Sequence, residues 1–278
     1  MTTQTFPEVE THKTPRLILP NTSLCAIVRD EMMNPAQLPG KSGIRSFVES
    51  HVPYVEQAVI VDTGSVDGTR QELEQLAYEF PQLKVHDRLF DDYASARNHS
   101  LSLVPTKWSL VLDVDELITQ ENFGILNQEL AEAENFDPKR KLSIPYFFHI
   151  SIFDVYSFGE FFQGGGHYVR LFHKNRGIFH NEGDKMGEFL YAKSIHGREY
   201  EIEPYSPNTV CSKAKILHFY PGKLFSSEEL IEKYDATHPR GLKSTNWYKN
   251  PERFSESPSE REGFHLWKAP NLHREKFS

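Results

Sequence analysis

Short apolar runs that alternate with amphipathic segments constrain the first half of this chain more than any other feature. The strand-length runs are residues 24–28, 58–61, 84–86 and 108–112. The helical segments between them are residues 43–51, 71–80 and 94–103. Strands that alternate with helices indicate βαβ units. We therefore predict an α/β fold with a mostly parallel central sheet flanked by helices.

The second half of the chain has a different pattern. Aromatic, glycine-containing runs at residues 142–153, 168–173 and 215–220 predict further strands in a mixed subregion, and residues 226–236 predict a capped helix. We divide the chain into an N-terminal arm, a first half, a second half of the same domain and a C-terminal extension. The corresponding residues are 1–21, 22–138, 139–240 and 241–278.

Composition narrows the choice of partners. The 278 residues include 31 Lys+Arg and 39 Asp+Glu, which gives a formal net charge of -8. This charge repels phosphate polymers, so nucleic acid is disfavoured as a partner but not excluded.

The apolar runs are all shorter than the ~18 residues of a spanning helix, and the N-terminus lacks the apolar core of a signal peptide. Cys25 and Cys211 lie in apolar runs, which favours packed thiols over a disulfide. We expect a cytoplasmic protein without a transmembrane segment.

Three polar clusters follow the predicted strands, at residues 29–31, 62–69 and 113–116. Ligands of parallel α/β sheets bind outside the carboxyl ends of the strands, so we expect the clusters to converge. In the second cluster, Asp62 can accept a hydrogen bond from a ribose hydroxyl or a base N–H, and Gly64 and Gly68 allow the positive φ of a tight turn. A plain Asp-Gly turn is the structural alternative.

Asp113 and Asp115 lie two residues apart at the end of an apolar strand, which predicts that both side chains leave on one face. Two carboxylates in that position suit a hard cation such as Mg²⁺ or Mn²⁺, which would share its shell with substrate phosphates. One alternative is a solvated acidic strand end. Another is a phosphatase of the haloacid dehalogenase class, although that motif is expected near the chain start and here it follows a complete βαβ unit.

Four blocks of sequence together resemble one family. Residues 24–31, 61–69, 93–98 and 110–116 are similar, in order and spacing, to the family 2 glycosyltransferases with a GT-A fold. The similarity continues more loosely at residues 170–172, 195–197 and 216–220 and covers roughly residues 22 to 238. In this arrangement the chain resembles the branch that contains lipopolysaccharide-core glucosyltransferases.

The resemblance implies transfer of a sugar from a nucleotide sugar, most often UDP-linked, with inversion at the anomeric carbon. It also implies that residues 22–138 form a Rossmann-like, nucleotide-sugar-binding half and residues 139–240 an acceptor-side, catalytic half of one GT-A domain. The positions that match nucleotide-binding positions, together with Ser65 of the same turn as Asp62, are Arg29, Glu31, Asp62, Ser65, Arg97 and Asp113. Asp115 matches the metal ligand, and His218 falls where related enzymes place a histidine that joins the metal or the diphosphate. A neutral imidazole is a suitable companion for Mn²⁺. A packed core histidine is the alternative for His218.

The catalytic base is the weakest part of the resemblance. The chain has His196 followed by Gly197 where members of this branch often have His-Glu. An inverting transfer needs a base within reach of the acceptor hydroxyl. The candidates, with a slight preference for the first, are Glu182, Asp184, Glu188 and Glu199. Residues 164–167 are interpreted either as a mobile lid or as a hairpin turn.

The sequence therefore predicts an inverting glycosyltransferase that depends on Mn²⁺ or Mg²⁺ and takes a nucleotide sugar as donor. The acceptor stays open between a saccharide, a peptide side chain and a modified nucleobase. A noncatalytic nucleotide-sugar-binding module that has lost its base is the alternative, because of the departure at Gly197. Nothing in the sequence constrains the oligomeric state.

Overall fold

The computed structural model describes residues 19–135 except 35 and 39, 146–157, 160–182, 187–219 except 204, 205 and 207, and 266–267. The helices are α1 Gly43–His51, α2 Thr69–Glu79, α3 Tyr93–Ser102 and α4 Gln120–Glu134. The strands are β1 Leu19–Val28, β2 Val55–Asp62, β3 Leu83–Asp87, β4 Trp108–Val111, β5 Glu116–Leu117, β6 Phe147–Ser157, β7 Glu160–His173, β8 Gly177–Glu182, β9 Gly187–Lys193, β10 Glu199–Glu201, β11 Thr209–Phe219 and β12 Leu266–Trp267.

The central sheet has the order β3-β2-β1-β4-β7-β6-β11-β5, with β12 paired to β7. The first four strands are parallel, and β7 runs antiparallel to both β4 and β6. Because β11 is parallel to β6, these two strands point the same way as β1 to β4. The predicted α/β fold with a mostly parallel sheet is confirmed.

Apolar side chains pack on both faces of the sheet, as expected for parallel strands covered by helices. In β1, Leu24, Ala26 and Val28 belong to one buried cluster, which also contains residues of α1, α2 and α4. Cys25 points to the opposite face and joins a second cluster with residues of α3, β8 and β9. Each face of the sheet thus has its own core.

Several elements differ from the sequence-based expectation. Helix α4 and the three-stranded antiparallel sheet β10-β9-β8 were not predicted. Residues 164–167, predicted as a lid or a turn, lie inside strand β7, whose neighbours in β6 supply the pairing. Strand β1 begins at Leu19, within the expected arm. The helix predicted at residues 226–236 lies outside the described residues.

Two other expectations concern cysteines and membranes. Cys25 is buried and Cys211 is partly buried, and both are free thiols. Burial raises the pKa of the Cys25 thiol to about 12, which keeps it protonated and inert. None of the helices in the described segments has the length and apolar character needed to cross a membrane.

His51 connects α1 to the strand that follows the acidic cluster. Its side chain is 1% exposed; Nδ1 donates to the carbonyl oxygen of Phe47 at 2.8 Å and Nε2 accepts the N–H of Ile118 at 3.1 Å. Burial lowers the pKa of His51 from 6.5 to about 4, against a smaller opposing effect of its bond to Phe47. The ring is therefore neutral at pH 7 and joins two segments that are 67 residues apart.

The depressed pKa of His51 predicts a pH-dependent stability. Between about pH 6.5 and 4 the unfolded chain takes up a proton on His51 that the folded protein does not, so acid should destabilise the fold. At pH 5 this contribution is on the order of 2 kcal/mol. In His51→Gln it should disappear, which urea denaturation at pH 7.5 and pH 5 would measure. His86→Gln, at the end of β3, is the control. An unchanged pH dependence in His51→Gln would contradict the assignment.

Candidate functional site

The carboxyl ends of six strands lie along one edge of the central sheet. Strands β1 to β4 end there because they are parallel, and β6 and β11 end there because the antiparallel β7 separates them from β4. The three polar clusters of the first half and His218 of β11 consequently occupy the same edge. We call this edge the cleft edge.

The loops after β1 and β2 are joined by side chains bound to backbone N–H groups. Three successive backbone N–H groups of the first loop each donate to a side chain of the second: Asp30 to Ser65 Oγ at 2.9 Å, Glu31 to Thr69 Oγ1 at 2.7 Å and Met32 to Asp67 Oδ2 at 2.9 Å. The polar residues of the second loop, Ser65 included, therefore fasten the first loop in place. This exceeds what the plain-turn alternative would require.

A close approach of α1 completes the fastening of the first loop. The N–H groups of Gly43 and Ile44 donate to the carbonyl oxygens of Met32 and Glu31, at 3.0 and 2.8 Å. A Cβ at Gly43 would lie 2.1 Å from the Cβ of Asn34 and 2.7 Å from the carbonyl oxygen of Glu31, so a larger residue cannot be placed there without a backbone shift. Glycine at this position lets the loop carrying Glu31 rest on the helix start.

Asp62 is the residue of the second loop whose side chain keeps an unused acceptor. The carboxylate is 4% exposed, and Oδ1 accepts the N–H groups of Gly64 at 2.9 Å and Ser65 at 3.0 Å. Oδ2 is buried and has no hydrogen-bond partner within the described residues. A buried carboxylate oxygen without a partner is costly, and a ligand N–H or O–H donor would satisfy it.

Glu31 and Arg29 flank Asp30 in the first loop. Burial raises the pKa of Glu31 to about 8, its bond from Asn34 Nδ2 at 2.6 Å opposes this, and the nearby Asp115 raises it further. Glu31 is thus largely protonated at neutral pH and can donate as well as accept. Arg29 is about two-fifths exposed and lies 3.8 Å from the Asp30 carboxylate through Nε.

Arg97, on α3, is a buried guanidinium with three partners. Nε donates to Glu188 Oε1 of β9 at 2.9 Å, Nη1 donates to the carbonyl oxygen of Leu112 at 3.4 Å, and Nη2 donates to Asp113 Oδ1. Only 3% of the side chain is exposed. The predicted nucleotide-pocket arginine therefore holds the acidic turn and the small sheet against α3.

The acidic cluster at residues 113–116 is a turn, which corrects the expectation that Asp113 and Asp115 leave a strand on one face. Strand β4 ends at Val111, so the alternation of a strand does not extend to these residues. The turn is closed twice, because the N–H of Glu116 donates to the carbonyl oxygen of Asp113 at 3.1 Å and the N–H of Asp113 donates to Glu116 Oε2 at 3.0 Å.

Arg170 of β7 binds two carboxylates of this turn. Its Nη2 lies 2.5 Å from Glu116 Oε1 and 3.3 Å from Asp113 Oδ2. Glu116 is 2% exposed, and burial raises the pKa of its carboxyl although the charge of Arg170 opposes the shift. The sequence alone assigns no role to Arg170 or Glu116. A signal was present, since an arginine within an otherwise apolar strand run needs a buried acidic partner.

Asp115 and His218 face each other across the turn. His218 Nε2 lies 3.4 Å from Asp115 Oδ2, and the N–H of Phe219 donates to the Asp115 carbonyl oxygen at 2.9 Å. Burial tends to raise the pKa of Asp115, but the charges of His218 and Arg170 outweigh it and lower that pKa below its usual value. Each side chain is about one-quarter exposed, which argues against His218 as a fully packed core histidine.

One carboxylate oxygen and one imidazole nitrogen form a donor pair that fits Mn²⁺ or Mg²⁺ whose other positions are filled by phosphate oxygens and water. Clusters of three or more His, Cys, Asp and Glu side chains suited to a metal do not occur among the described residues. Asp115 and His218 are a described pair that could serve as protein ligands of a cation.

The four candidate bases have different surroundings. Glu188 is bound to Arg97, and the exposed Glu199 lies 2.7 Å from His180 Nε2. The backbone of Glu182 ends β8, while its side chain and all of Asp184 lie outside the described part of the structure. Gly197, at the departure from the family pattern, has φ 78° in the turn before β10.

A cavity of about 300 Å³ lies away from the cleft edge. It is found where β6 and β11 begin, and its lining residues are Phe147, Ala192, Tyr200, Glu201, Ile202, Glu203, Ser206 and Asn208. None of the predicted site residues lines it, so the cavity is separate from the cleft edge.

Relatives of the chain match parts of it. A TPR repeat-containing protein of Synechococcus elongatus is 33% identical over 112 residues, which are 40% of this chain and 25% of that protein. The chain thus spans about a quarter of the length of this curated relative.

Among solved structures, TarS of S. aureus aligns at 18% identity over 49% of this chain and 22% of that chain, with a TM-score of 0.38. TarS 1-349 in complex with UDP-GlcNAc aligns at 13% identity over 77% and 64% of the two chains, with a TM-score of 0.44. The mannosyltransferase PcManGT of Pyrobaculum calidifontis, in complex with GDP-Man and Mn²⁺, aligns at 16% identity over 47% and 35%, with a TM-score of 0.35.

A family model gives the decisive match. The model of glycosyl transferase family 2 matches residues 44–183, about half of the chain. The matched region contains the turn after β2, helix α3 and the acidic turn at residues 113–116. Together with the observed sheet, this match confirms the predicted fold of GT-A type and the family-level resemblance. The chain belongs to glycosyl transferase family 2.

Proposed function

We propose that this protein is an inverting, metal-dependent glycosyltransferase that moves a sugar from a nucleotide sugar, UDP-linked as the family resemblance implies, to an acceptor hydroxyl. One observation carries the proposal. A buried carboxylate oxygen of Asp62, without a partner in the described residues, and the Asp115–His218 pair lie on the same edge of the sheet in a member of glycosyl transferase family 2.

The nucleotide side of the site is assigned to the loops after β1 and β2. Asp62 Oδ2 would accept a hydrogen bond from a base N–H or a ribose hydroxyl, while Oδ1 keeps the turn in place. Arg29 supplies positive charge at the rim, and the protonated Glu31 can donate. Ser65 and Arg97 support the pocket through the loop and the turn that they hold.

The diphosphate side is assigned to the turn after β4 and the end of β11. Asp115 and His218 would hold Mn²⁺ or Mg²⁺. A bound divalent cation supplies positive charge that neutralises the diphosphate as it leaves. The carboxylate and the imidazole differ in charge and in softness, so the pair accommodates Mn²⁺ as well as Mg²⁺.

In the proposed transfer, the acceptor hydroxyl oxygen bonds to the anomeric carbon on the face opposite the diphosphate. The bond from that carbon to the diphosphate oxygen breaks, and its electron pair leaves with the nucleoside diphosphate. The hydroxyl proton passes to a carboxylate base. Glu188 and Glu199 are already bound to Arg97 and His180, so we keep Glu182 as the preferred base, with Asp184 next to it in the chain.

The end of β8 at Glu182 lies close to the start of α3, which supports the choice of this residue. Asn181, the preceding residue, accepts the N–H of Ala94 through its side-chain oxygen at 3.2 Å, at the start of α3. The same helix presents Arg97 to the acidic turn. The likeness to the lipopolysaccharide-core branch makes a saccharide the first acceptor class to examine, ahead of a peptide side chain or a nucleobase.

A donor panel would test the function as a whole. We expect calorimetry with UDP-, GDP- and TDP-sugars to show the tightest binding for a UDP-sugar in the presence of Mn²⁺. We also expect the purified protein to hydrolyse that donor slowly when no acceptor is present. If UDP binds with Mn²⁺ but no donor is hydrolysed or transferred, the protein is a noncatalytic nucleotide-sugar-binding module and the enzyme proposal fails.

Asp62→Asn isolates the proposed contact to the nucleoside. The remaining side-chain oxygen can keep the turn, whereas the new NH₂ group replaces the free acceptor by a donor. UDP affinity should fall at least about tenfold, both with and without Mn²⁺, and the melting temperature should change little. Asp87→Asn, at the end of the neighbouring strand, is the matched control. Unchanged UDP affinity in Asp62→Asn would remove this residue from the site.

The variant Asp115→Asn tests the proposed cation site. Removal of one charged ligand should abolish most of the gain in UDP affinity that Mn²⁺ provides, while UDP binding without metal stays as in the wild type. His218→Ala should show the same pattern and lower kcat about tenfold or more. Calorimetry and circular dichroism would measure both effects, with Glu49→Gln as a surface control. Loss of the fold with no separate metal effect would make these side chains structural.

A further inference from the structure

We propose that Arg170 is a positioning residue that keeps Asp113 out of the coordination shell of the cation, so that the protein alone offers Asp115 and His218 and binds the cation tightly only together with the nucleotide diphosphate. The inference deepens the proposed function and rests on it for the identity of the cation site. It assigns a role to Arg170, which the family resemblance includes without a role.

A β-bulge directs Arg170 to the acidic turn. Phe148 pairs with Leu171 and His149 pairs with Val169, so one step along β6 corresponds to two steps along β7. Arg170 is therefore the extra residue of the bulge. Bulges re-aim side chains, and they are common next to active sites. This one lies in the strand that separates the two parallel parts of the sheet.

The bulge brings one guanidinium nitrogen to two carboxylates. Nη2 of Arg170 lies 2.5 Å from Glu116 Oε1 and 3.3 Å from Asp113 Oδ2. The other oxygen of Asp113 accepts from Nη2 of Arg97. Both oxygens of Asp113 are thus held by guanidinium groups, although its side chain is 40% exposed and could otherwise turn towards a cation.

Asp115, two residues later, has a different environment. Its carboxylate faces His218 Nε2 at 3.4 Å, and its backbone carbonyl oxygen is fixed by the N–H of Phe219. The acidic turn therefore has one carboxylate committed to arginines and one directed to the imidazole. In the proposal, Asp113 therefore has a structural role and Asp115 binds the cation.

The charge of Arg170 and its bond to Asp113 both lower the affinity of the protein for a free cation. A nearby guanidinium repels a divalent ion, and a carboxylate that is bound to arginines cannot replace water in its shell. The oxygens of a nucleoside diphosphate would supply the missing ligands and the missing negative charge. Cation and nucleotide should consequently raise the affinity for each other, as linkage requires.

Binding of Mn²⁺ alone, without nucleotide, tests the role of Arg170 directly. Arg170→Gln removes the positive charge and releases Asp113 Oδ2, so we expect it to bind free Mn²⁺ at least about tenfold more tightly than the wild type. The mutual enhancement between Mn²⁺ and UDP should shrink correspondingly. The electron paramagnetic resonance signal of unbound Mn²⁺ reports the first quantity, and calorimetry with UDP reports the second.

Further variants distinguish the release of the Asp113 carboxylate from the loss of the positive charge of Arg170. Arg170→Gln combined with Asp113→Asn should lose most of the gain, because the released carboxylate is no longer present. The control is Arg45 of α1, which is paired with Glu72 and Glu79. The variant Arg45→Gln should bind free Mn²⁺ as the wild type does. If Arg170→Gln folds but binds Mn²⁺ no better than the wild type, or if the double variant keeps the full gain, the proposal is wrong.

A second measurement does not depend on the stability of Arg170→Gln. In the otherwise unchanged protein, Asp113→Asn should reduce the affinity for free Mn²⁺ less than threefold, whereas Asp115→Asn should reduce it at least about tenfold. Equal losses in the two variants would make Asp113 a ligand and overturn the proposal. Because these titrations contain no nucleotide or sugar, their failure is distinguishable from a failure of the donor panel, which tests the transfer reaction itself.

Discussion

The buried guanidinium of Arg97 is the interaction on which the arrangement of the site depends. It lies on α3 and binds Glu188 of the small sheet, the carbonyl oxygen of Leu112 and the carboxylate of Asp113. A charge that is 3% exposed must be compensated, and its partners come from two different segments, β9 and the turn after β4. Removing one partner of such a buried pair typically costs about 3–5 kcal/mol. The relative positions of α3, β9 and the acidic turn are therefore coupled.

The same requirement explains why many acidic residues of the motifs are not available to a ligand. Glu188, Arg97, Asp113, Arg170 and Glu116 form a chain of alternating charges that runs from β9 through α3 and the acidic turn to β7 and β5. Asp113 and Arg97, which match nucleotide-binding positions of the family, are bound to each other. In this protein, a residue of a family motif either stabilises the structure or is available to a ligand. The charges around the residue determine which of these two roles it has.

The polar loops after β1 and β2 follow the same logic with hydrogen bonds in place of charges. Ser65, Asp67 and Thr69 satisfy the N–H groups of residues 30–32, which the end of β1 would leave without sheet partners. Asp62 alone in this loop combines a structural oxygen with a buried oxygen that lacks a partner in the described segments. The loop thus presents a single well-placed acceptor rather than a polar surface.

Local patterns in the sequence were sufficient for the strands and helices up to β4. Apolar runs and helical spacing predicted β1 to β4 and α1 to α3, and the family blocks predicted the GT-A type of fold. The missed helix α4 carried the same kind of signal, because its buried residues Phe123, Leu126, Leu130 and Ala133 recur with helical spacing. These features are predictable because periodicity, capping and turn chemistry depend on neighbouring residues.

The sequence by itself thus determined the order of strands and helices, the edge where polar clusters meet, and the residue types that meet there. Only the tertiary structure decided which of those residues bind one another. Arg170 reaches Glu116, 54 positions away, because one extra residue in β7 changes the direction of its side chain. His218 reaches Asp115 because β11 pairs with β5 beside the acidic turn. Strand register and bulges arise from the packing of the whole sheet, so no local pattern encodes these partners.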